Sequence, residues 1–303
     1  MNNNKKIKVL AFGEILWDIF ENEKKIGGAP LNVAMRMKSL GCEVSIISGV
    51  GNDEDGHTLL HEVETLGIDT NTISQSETFP TGLVKVTLDK NGSAIYDIHY
   101  PSAWDKIEMN EYAQKLVKNA DVLIYGSLVC RDDVSRKSLE SLLQNEVFKV
   151  FDVNLRKPHY SYRILEKLML EANFIKFNDE EILEIAKELQ SPFASLEENM
   201  NFIAAKTNTP SICVTKGEHG AVLLWQGTLY ENTGYAVRVV DTVGAGDSFL
   251  ASLITCLLTG STPQKAIDFA CAVGALVAAS AGANPDISLA EIQKMISADN
   301  DEK

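Results

Sequence analysis

The 303 residues carry 42 Asp and Glu against 28 Lys and Arg, and the resulting formal charge of −14 repels nucleic-acid backbones and anionic membrane surfaces. The five cysteines, Cys42, Cys130, Cys213, Cys256 and Cys271, are scattered and never spaced as Cys-x-x-Cys, so neither a zinc site nor a disulfide framework is indicated. The polar, basic opening and the charges at Glu14 and Asp18 do not make a signal peptide, no later run reaches membrane-spanning length, and a cytoplasmic location is expected.

Short apolar runs predict strands at 7–12, 44–48, 122–125, 148–153, 174–177 and 211–215. Helical periodicity at 33–40, 58–66, 135–143 and 182–189 alternates with them, as in βα units around a largely parallel sheet. The last part reads as three helices, 248–258, 263–281 and 289–298. One α/β domain over 1–303 is expected. Residues 83–100 break the alternation as a hairpin turning at Asn91-Gly92. With 15–26 this hairpin would form a small antiparallel sheet that projects from the core; an edge hairpin of the main sheet is the equal alternative.

The stretch Asp241-Thr-Val-Gly-Ala-Gly-Asp-Ser-Phe249 places Gly244, Ala245 and Gly246 before a carboxylate and an apolar helix. Small residues at a helix start let successive main-chain N–H groups converge on an anion. Asp247 at that mouth would repel a phosphate, which points to a separate task, accepting the proton of an attacking hydroxyl. The competing reading is a Gly-rich loop with an ordinary Asp N-cap. No Gly-x-x-x-x-Gly-Lys-Ser/Thr occurs, no Gly-x-Gly-x-x-Gly follows the first strand, and the protein-kinase set is missing.

The 241–249 stretch resembles the C-terminal signature of the PfkB (ribokinase-like) sugar kinases. Gly27-Gly28-Ala29-Pro30-Leu31-Asn32, with Ala34, Gly41 and Gly51, resembles their N-terminal signature. Ser252 departs from the usual Gly or Ala. The resemblance implies a three-layer α/β/α core with a mostly parallel central sheet and a small β lid from about 15–27 and 80–104, with ATP as co-substrate, Mg²⁺, and a monovalent cation such as K⁺. An exposed lid edge would invite pairing of two subunits into a homodimer. An acidic chain must build positive potential locally to hold ATP, which makes Lys176, Lys216 and Arg156 candidates.

Carried over residue by residue, the resemblance makes Asp247 the base and the Gly244–Asp247 backbone the anion hole. Arg156, in Asp152-x-Asn154-x-Arg156, would neutralise transferring charge, the alternative being an Asp152–Arg156 ion pair. Asn178 and Glu181, in Asn-x-x-Glu, would organise phosphate and Mg²⁺, Glu181 through metal-bound water; Asn178 also reads as a helix cap. Thr215, Lys216, Gly217 and Gly220 would meet the ATP phosphates and ribose, and Cys271 the adenine pocket. Asp241, Val243, Val277, Ser280, Gly282 and Asp286 match by spacing a monovalent-cation site built mainly of carbonyls. Asp18, Gly27, Gly28 and Asn32 would hold the sugar, with Tyr96 and Trp104 offering aromatic faces; core packing is the alternative for the aromatics and a solvated charge for Asp18.

Gly-Gly-Ala-Pro-Leu-Asn and the segments 96–105 and 126–131 look like fructokinase rather than ribokinase sequence. The expected activity is therefore ATP-dependent phosphorylation of D-fructose at its primary hydroxyl. Kinases for 2-keto-3-deoxygluconate, ribose or a nucleoside, and a sugar-binding regulator without chemistry, are the alternatives.

Overall fold

The run Lys-Val-Leu-Ala-Phe becomes a strand because its apolar side chains are buried on both faces, as parallel strands covered by helices require. The computed structural model describes residues 6–21, 23–88 and 94–301. These divide into two compact units, Lys8–Val147 and the chain from Phe148 onward together with residues 6–7.

The first unit contains β1 (Lys8–Phe12), β2 (Leu16–Ile19), β3 (Lys24–Gly27), β4 (Glu43–Gly51), β5 (Ile73–Ser76), β6 (Gly82–Leu88), β7 (Ala94–Ile98) and β8 (Val122–Gly126). Four of them form a parallel sheet in the order β8-β1-β4-β5. Helices α1 (Ala29–Ser39), α2 (Glu54–Thr65), α3 (Glu111–Asn119) and α4 (Asp133–Leu143) accompany it, with α1 packed on β1 and β4. A second sheet has the order β3-β2-β6-β7. The 83–100 hairpin thus belongs to a separate small sheet and not to the edge of the larger one. That small sheet is mixed, a correction to the antiparallel expectation: β2 pairs with β6 in parallel, Leu16 opposite Gly82. The Asn91-Gly92 turn lies outside the described residues.

The second unit contains β9 (Phe148–Asp152), β10 (Phe174–Asn178), β11 (Ser211–Thr215), β12 (Ala221–Trp225) and β13 (Thr228–Asn232). The first three are parallel, and β12 and β13 continue the sheet antiparallel. Its helices are α5 (Tyr162–Glu171), α6 (Asp179–Glu188), α7 (Leu196–Thr207), α8 (Ala245–Leu258), α9 (Pro263–Ala278) and α10 (Leu289–Asp301). The apolar α8 packs along α9, and Ser252 is fully buried in it. The carboxyl ends of β9, β10 and β11 bring Asp152, Asn178 and Thr215 to one edge. No helix among the described residues is long and apolar enough to cross a membrane.

Candidate active site

The start of α8 decides how Asp247 is used. The N-cap is Gly244, with φ +75° and ψ −3°, and a glycine there offers no side-chain cap. Asp247 therefore sits three residues into the helix, so the reading of it as an ordinary N-cap is set aside. A side chain at Gly244 would strike Ala283 as well as disfavour the backbone angle, which makes glycine doubly required there. Helix geometry leaves first-turn N–H groups without intrahelical acceptors. Ala245 N–H turns back to Thr242 O at 3.3 Å, so its expected share in an anion hole is reduced, and the Gly244 carbonyl accepts from Ser248 at 2.8 Å. Asp247 is half-buried.

Beside this helix start lies a buried ion pair. Lys176 on β10 faces Asp152 on β9 across the parallel ladder, and Nζ lies 3.0 Å from Asp152 Oδ1. Asp152 Oδ2 is buried without a hydrogen-bond partner. The alternative Asp152–Arg156 pair gives way to this one; Arg156 is half-buried, and its Nη1 donates to Leu155 O at 3.0 Å. A Cβ placed on Gly246 would lie 3.4 Å from the Lys176 ammonium. Burial works against that ammonium, yet the surrounding Asp152, Glu181 and Asp247 outweigh it and hold Lys176 above its ordinary range.

Asn178 ends β10 and caps α6: its Oδ1 accepts from Glu181 N at 2.7 Å, and Glu181 Oε2 accepts from Asn178 N at 2.8 Å. Glu181 Oε1 also accepts from Leu155 N at 2.8 Å, so one carboxylate ties the end of β9 to the start of α6. Burial raises the Glu181 carboxyl above its usual range, against the pull of Lys176. Beside the metal role the sequence suggests, Glu181 thus has a structural duty to two main-chain donors. No group of three or more His, Cys, Asp and Glu side chains poised to hold a metal occurs among the described residues.

The sequence profile described as pfkB family carbohydrate kinase matches residues 3–289. The chain belongs to this family. A sugar kinase of Pyrococcus horikoshii is 30% identical over 252 residues, 80% of this chain and 76% of that one. Its solved structure in complex with ATP superposes with a TM-score of 0.78 at 28% identity, covering 91% and 93% of the two chains. Fructokinase-2 of Solanum lycopersicum is 27% identical, covering 93% of both chains. An ATP-dependent 6-phosphofructokinase of Thermoanaerobacterium thermosaccharolyticum is 28% identical, covering 94% and 92%. The fold is ribokinase-like, and the protein is an ATP-dependent sugar kinase.

In this PfkB kinase the 215–220 loop is tightly folded on itself: Lys216 N–H donates to Gly220 O at 2.7 Å and Gly220 N–H to Gly217 O at 3.2 Å. Gly217 has φ +58° and open space around it, while a side chain at Gly220 would collide with the Asn232 carbonyl. Thr215 Oγ1 donates to Phe177 O at 3.4 Å, and Lys216 Nζ pairs with Glu231 at 2.8 Å. Cys271 is a buried residue of α9 whose thiol burial pushes up to about 12, so it stays neutral. Asp241 clips its own loop: Oδ1 accepts from Val243 N at 3.0 Å and Oδ2 from Gly282 N at 3.2 Å. The Val277 carbonyl accepts from Ser280 N at 2.9 Å, and Asp286 is exposed.

In the first unit Asp18 lies on β2 directly against Gly27, where any side chain would overlap its carboxylate. Gly28, with φ +110°, sits against the Glu14 carbonyl and precedes α1, in which Asn32 is buried. These glycines are required by packing whatever the ligand. The structure brings Asp18, Gly27, Gly28 and Asn32 to one corner of this unit. Trp104 is a correction: it is 0% exposed, stacked 4.0 Å from the Arg131 guanidinium and packed against Gly82, so core packing wins over a sugar-facing ring. The Tyr96 side chain lies outside the described residues.

Proposed function

We propose that this kinase transfers the γ-phosphoryl group of ATP to the primary hydroxyl at C6 of D-fructose, giving fructose 6-phosphate and ADP. The observation that carries the reading is Asp247 at the third position of α8, in the helix's first turn and among the acidic groups around the buried Lys176. The hydroxyl oxygen attacks the γ-phosphorus, the new O–P bond forms as the bond to the β–γ bridging oxygen breaks, and the hydroxyl proton passes to Asp247. The amides at Gly246 and Asp247, the α8 dipole and Arg156 stabilise charge on the moving group. Asp18, Gly27, Gly28 and Asn32 bind the sugar, and the 215–220 loop with Asn178 and Cys271 lines the nucleotide. The orphaned, buried Asp152 oxygen and Glu181 suit a hydrated Mg²⁺, which would neutralise phosphate charge. The carbonyls around Asp241 suit a K⁺ ion.

Fructose as acceptor rests on the fructokinase-like segments and on relatives that include a fructokinase. The phosphofructokinase relative favours one second reading, fructose 6-phosphate as acceptor. A coupled ADP-release assay across fructose, fructose 6-phosphate, ribose, 2-keto-3-deoxygluconate and a nucleoside tests both. The highest kcat/KM is expected for fructose. Preference for another acceptor overturns the sugar, and binding of sugar without ADP release from any acceptor favours a regulator without chemistry.

A further inference from the structure

The small sheet carries Asp18 on β2, and the first turn of α2 holds that strand from the side opposite the carboxylate. Side chains alternate along a strand. Leu16 and Asp18 both lie against Gly27, so Trp17 between them points the other way. Its indole N–H donates to the Asp55 carbonyl of α2 at 3.0 Å, and the residue is 7% exposed. Lys24 of β3, opposite Ile19, stands 4.4 Å from the centre of the Trp17 ring and pairs with the Asp55 carboxylate. The same turn holds the neighbouring strand. Asp53, the N-cap of α2, accepts from Gly56 N at 2.7 Å, from Thr81 N at 2.9 Å and from Thr81 Oγ1 at 2.6 Å. Thr81 Oγ1 accepts in turn from Gly51 N at 2.9 Å, and the next residue, Gly82, begins β6 opposite Leu16. Two adjacent strands of the small sheet are thus fastened to one helical turn. A phenylalanine would fill much of the space of Trp17; what the tryptophan adds is a directional bond. Resting on the assignment of Asp18 to the sugar, we propose that Trp17 is a positioning residue for the acceptor, its hydrogen bond to α2 fixing β2 from behind and so setting where the Asp18 carboxylate meets the sugar hydroxyls.

The alternative is that Trp17 only packs the sheet onto α2. Trp17→Phe keeps most of that packing and deletes the donor, so it is compared with wild type, Asp18→Asn and the double variant Trp17→Phe/Asp18→Asn. Urea unfolding reports stability, and kcat and KM are measured for ATP and for the best acceptor of the sugar panel. Trp17→Phe should raise sugar KM about 3- to 10-fold, the worth of one lost hydrogen bond, while kcat and the KM for ATP stay within about twofold. In the Asp18→Asn background the same substitution should change sugar kcat/KM by less than about twofold, because a residue acting through Asp18 has nothing left to position. Wild-type sugar KM in a folded Trp17→Phe, equal losses for sugar and ATP, or full additivity with Asp18→Asn overturns the proposal. Should Trp17→Phe not fold, Lys24→Met at its exposed position decides. It loosens the same contact to Asp55 and should raise sugar KM about two- to threefold, and a wild-type sugar KM there overturns the proposal as well. Asp18→Asn separates the two assignments. Unimpaired sugar kinetics there remove Asp18 from the sugar and Trp17 with it, whereas an impaired Asp18→Asn beside a wild-type Trp17→Phe removes only the role of Trp17.

Discussion

Each unit of the molecule buries an ion pair, and the two pairs are built to opposite ends. In the first unit Arg131 is bound to Asp105 through Nε at 2.7 Å and Nη2 at 2.8 Å, and also donates to the His99 and Ile98 carbonyls. Asp105 in turn accepts from Ser102 N at 2.8 Å. Nearby, Lys106 pairs with Asp132 at 2.6 Å, and Asp132 also accepts from Tyr100 and caps α4. Two cations meet two carboxylates there, and Asp105 has every oxygen engaged. In the second unit one ammonium faces Asp152, Glu181 and Asp247, and Asp152 keeps an orphaned oxygen. A saturated, balanced pair is architecture. A pair with acceptors to spare and an excess of negative charge is where a cationic or proton-donating group has work to find.

The sharpest way to break that contrast is Asp247→Asn, which should lower turnover by roughly two to four decades while leaving sugar affinity in place. Coupled ADP release and a sugar-binding titration check it, and an unimpaired variant would sink the catalytic reading of the second cluster. Next in size, Arg131→Met strands the buried Asp105 and should cost about 3–5 kcal/mol in urea unfolding. The acid limb of its residual turnover should stay where it is. If Arg131→Met proves harmless to stability, the first cluster is not the architecture claimed.

The smallest expected effect concerns pH. Burial pushes the Asp132 carboxyl up, but hydrogen bonds from Lys106, the Val134 amide and Tyr100 together pull it below its ordinary 3.8. A folded-state value below the unfolded one adds stability that is present above 3.8 and is lost as pH falls through the folded value. Asp132→Asn should therefore melt below wild type at pH 7, and the gap should close under strongly acid conditions. A gap independent of pH would contradict the assignment.

Much of this was legible beforehand. The strands at 44–48, 122–125 and 211–215 and all three C-terminal helices form close to where periodicity placed them, because long apolar periods survive any tertiary context. The hidden elements were short or weakly patterned. β5 is Ile-Ser-Gln-Ser, half-exposed and polar. α7 has weak amphipathicity, although its Ser195–Glu198 capping box was a readable start signal. The Lys176–Asp152 contact could not be seen, since the two residues are 24 apart and meet only through the register of β9 and β10. Local spacing offers only Arg156 as a partner for Asp152, and that as an alternative. Trp104 misled for another reason: a tryptophan on a ligand face and one stacked under an arginine in the core share the same composition.

Glu181 has a further consequence for how the second unit assembles. While Oε2 stays with the nearby Asn178 N, Oε1 reaches Leu155 N, just beyond β9, where Asp152 lies opposite Lys176. Sliding one strand by a single residue would carry Leu155 about 3.3 Å away and turn its neighbours to the wrong face. A buried acid would then be abandoned by a donor, a penalty that falls on the misaligned chain alone. One glutamate thus proofreads the strand alignment on which the Lys176–Asp152 pair depends.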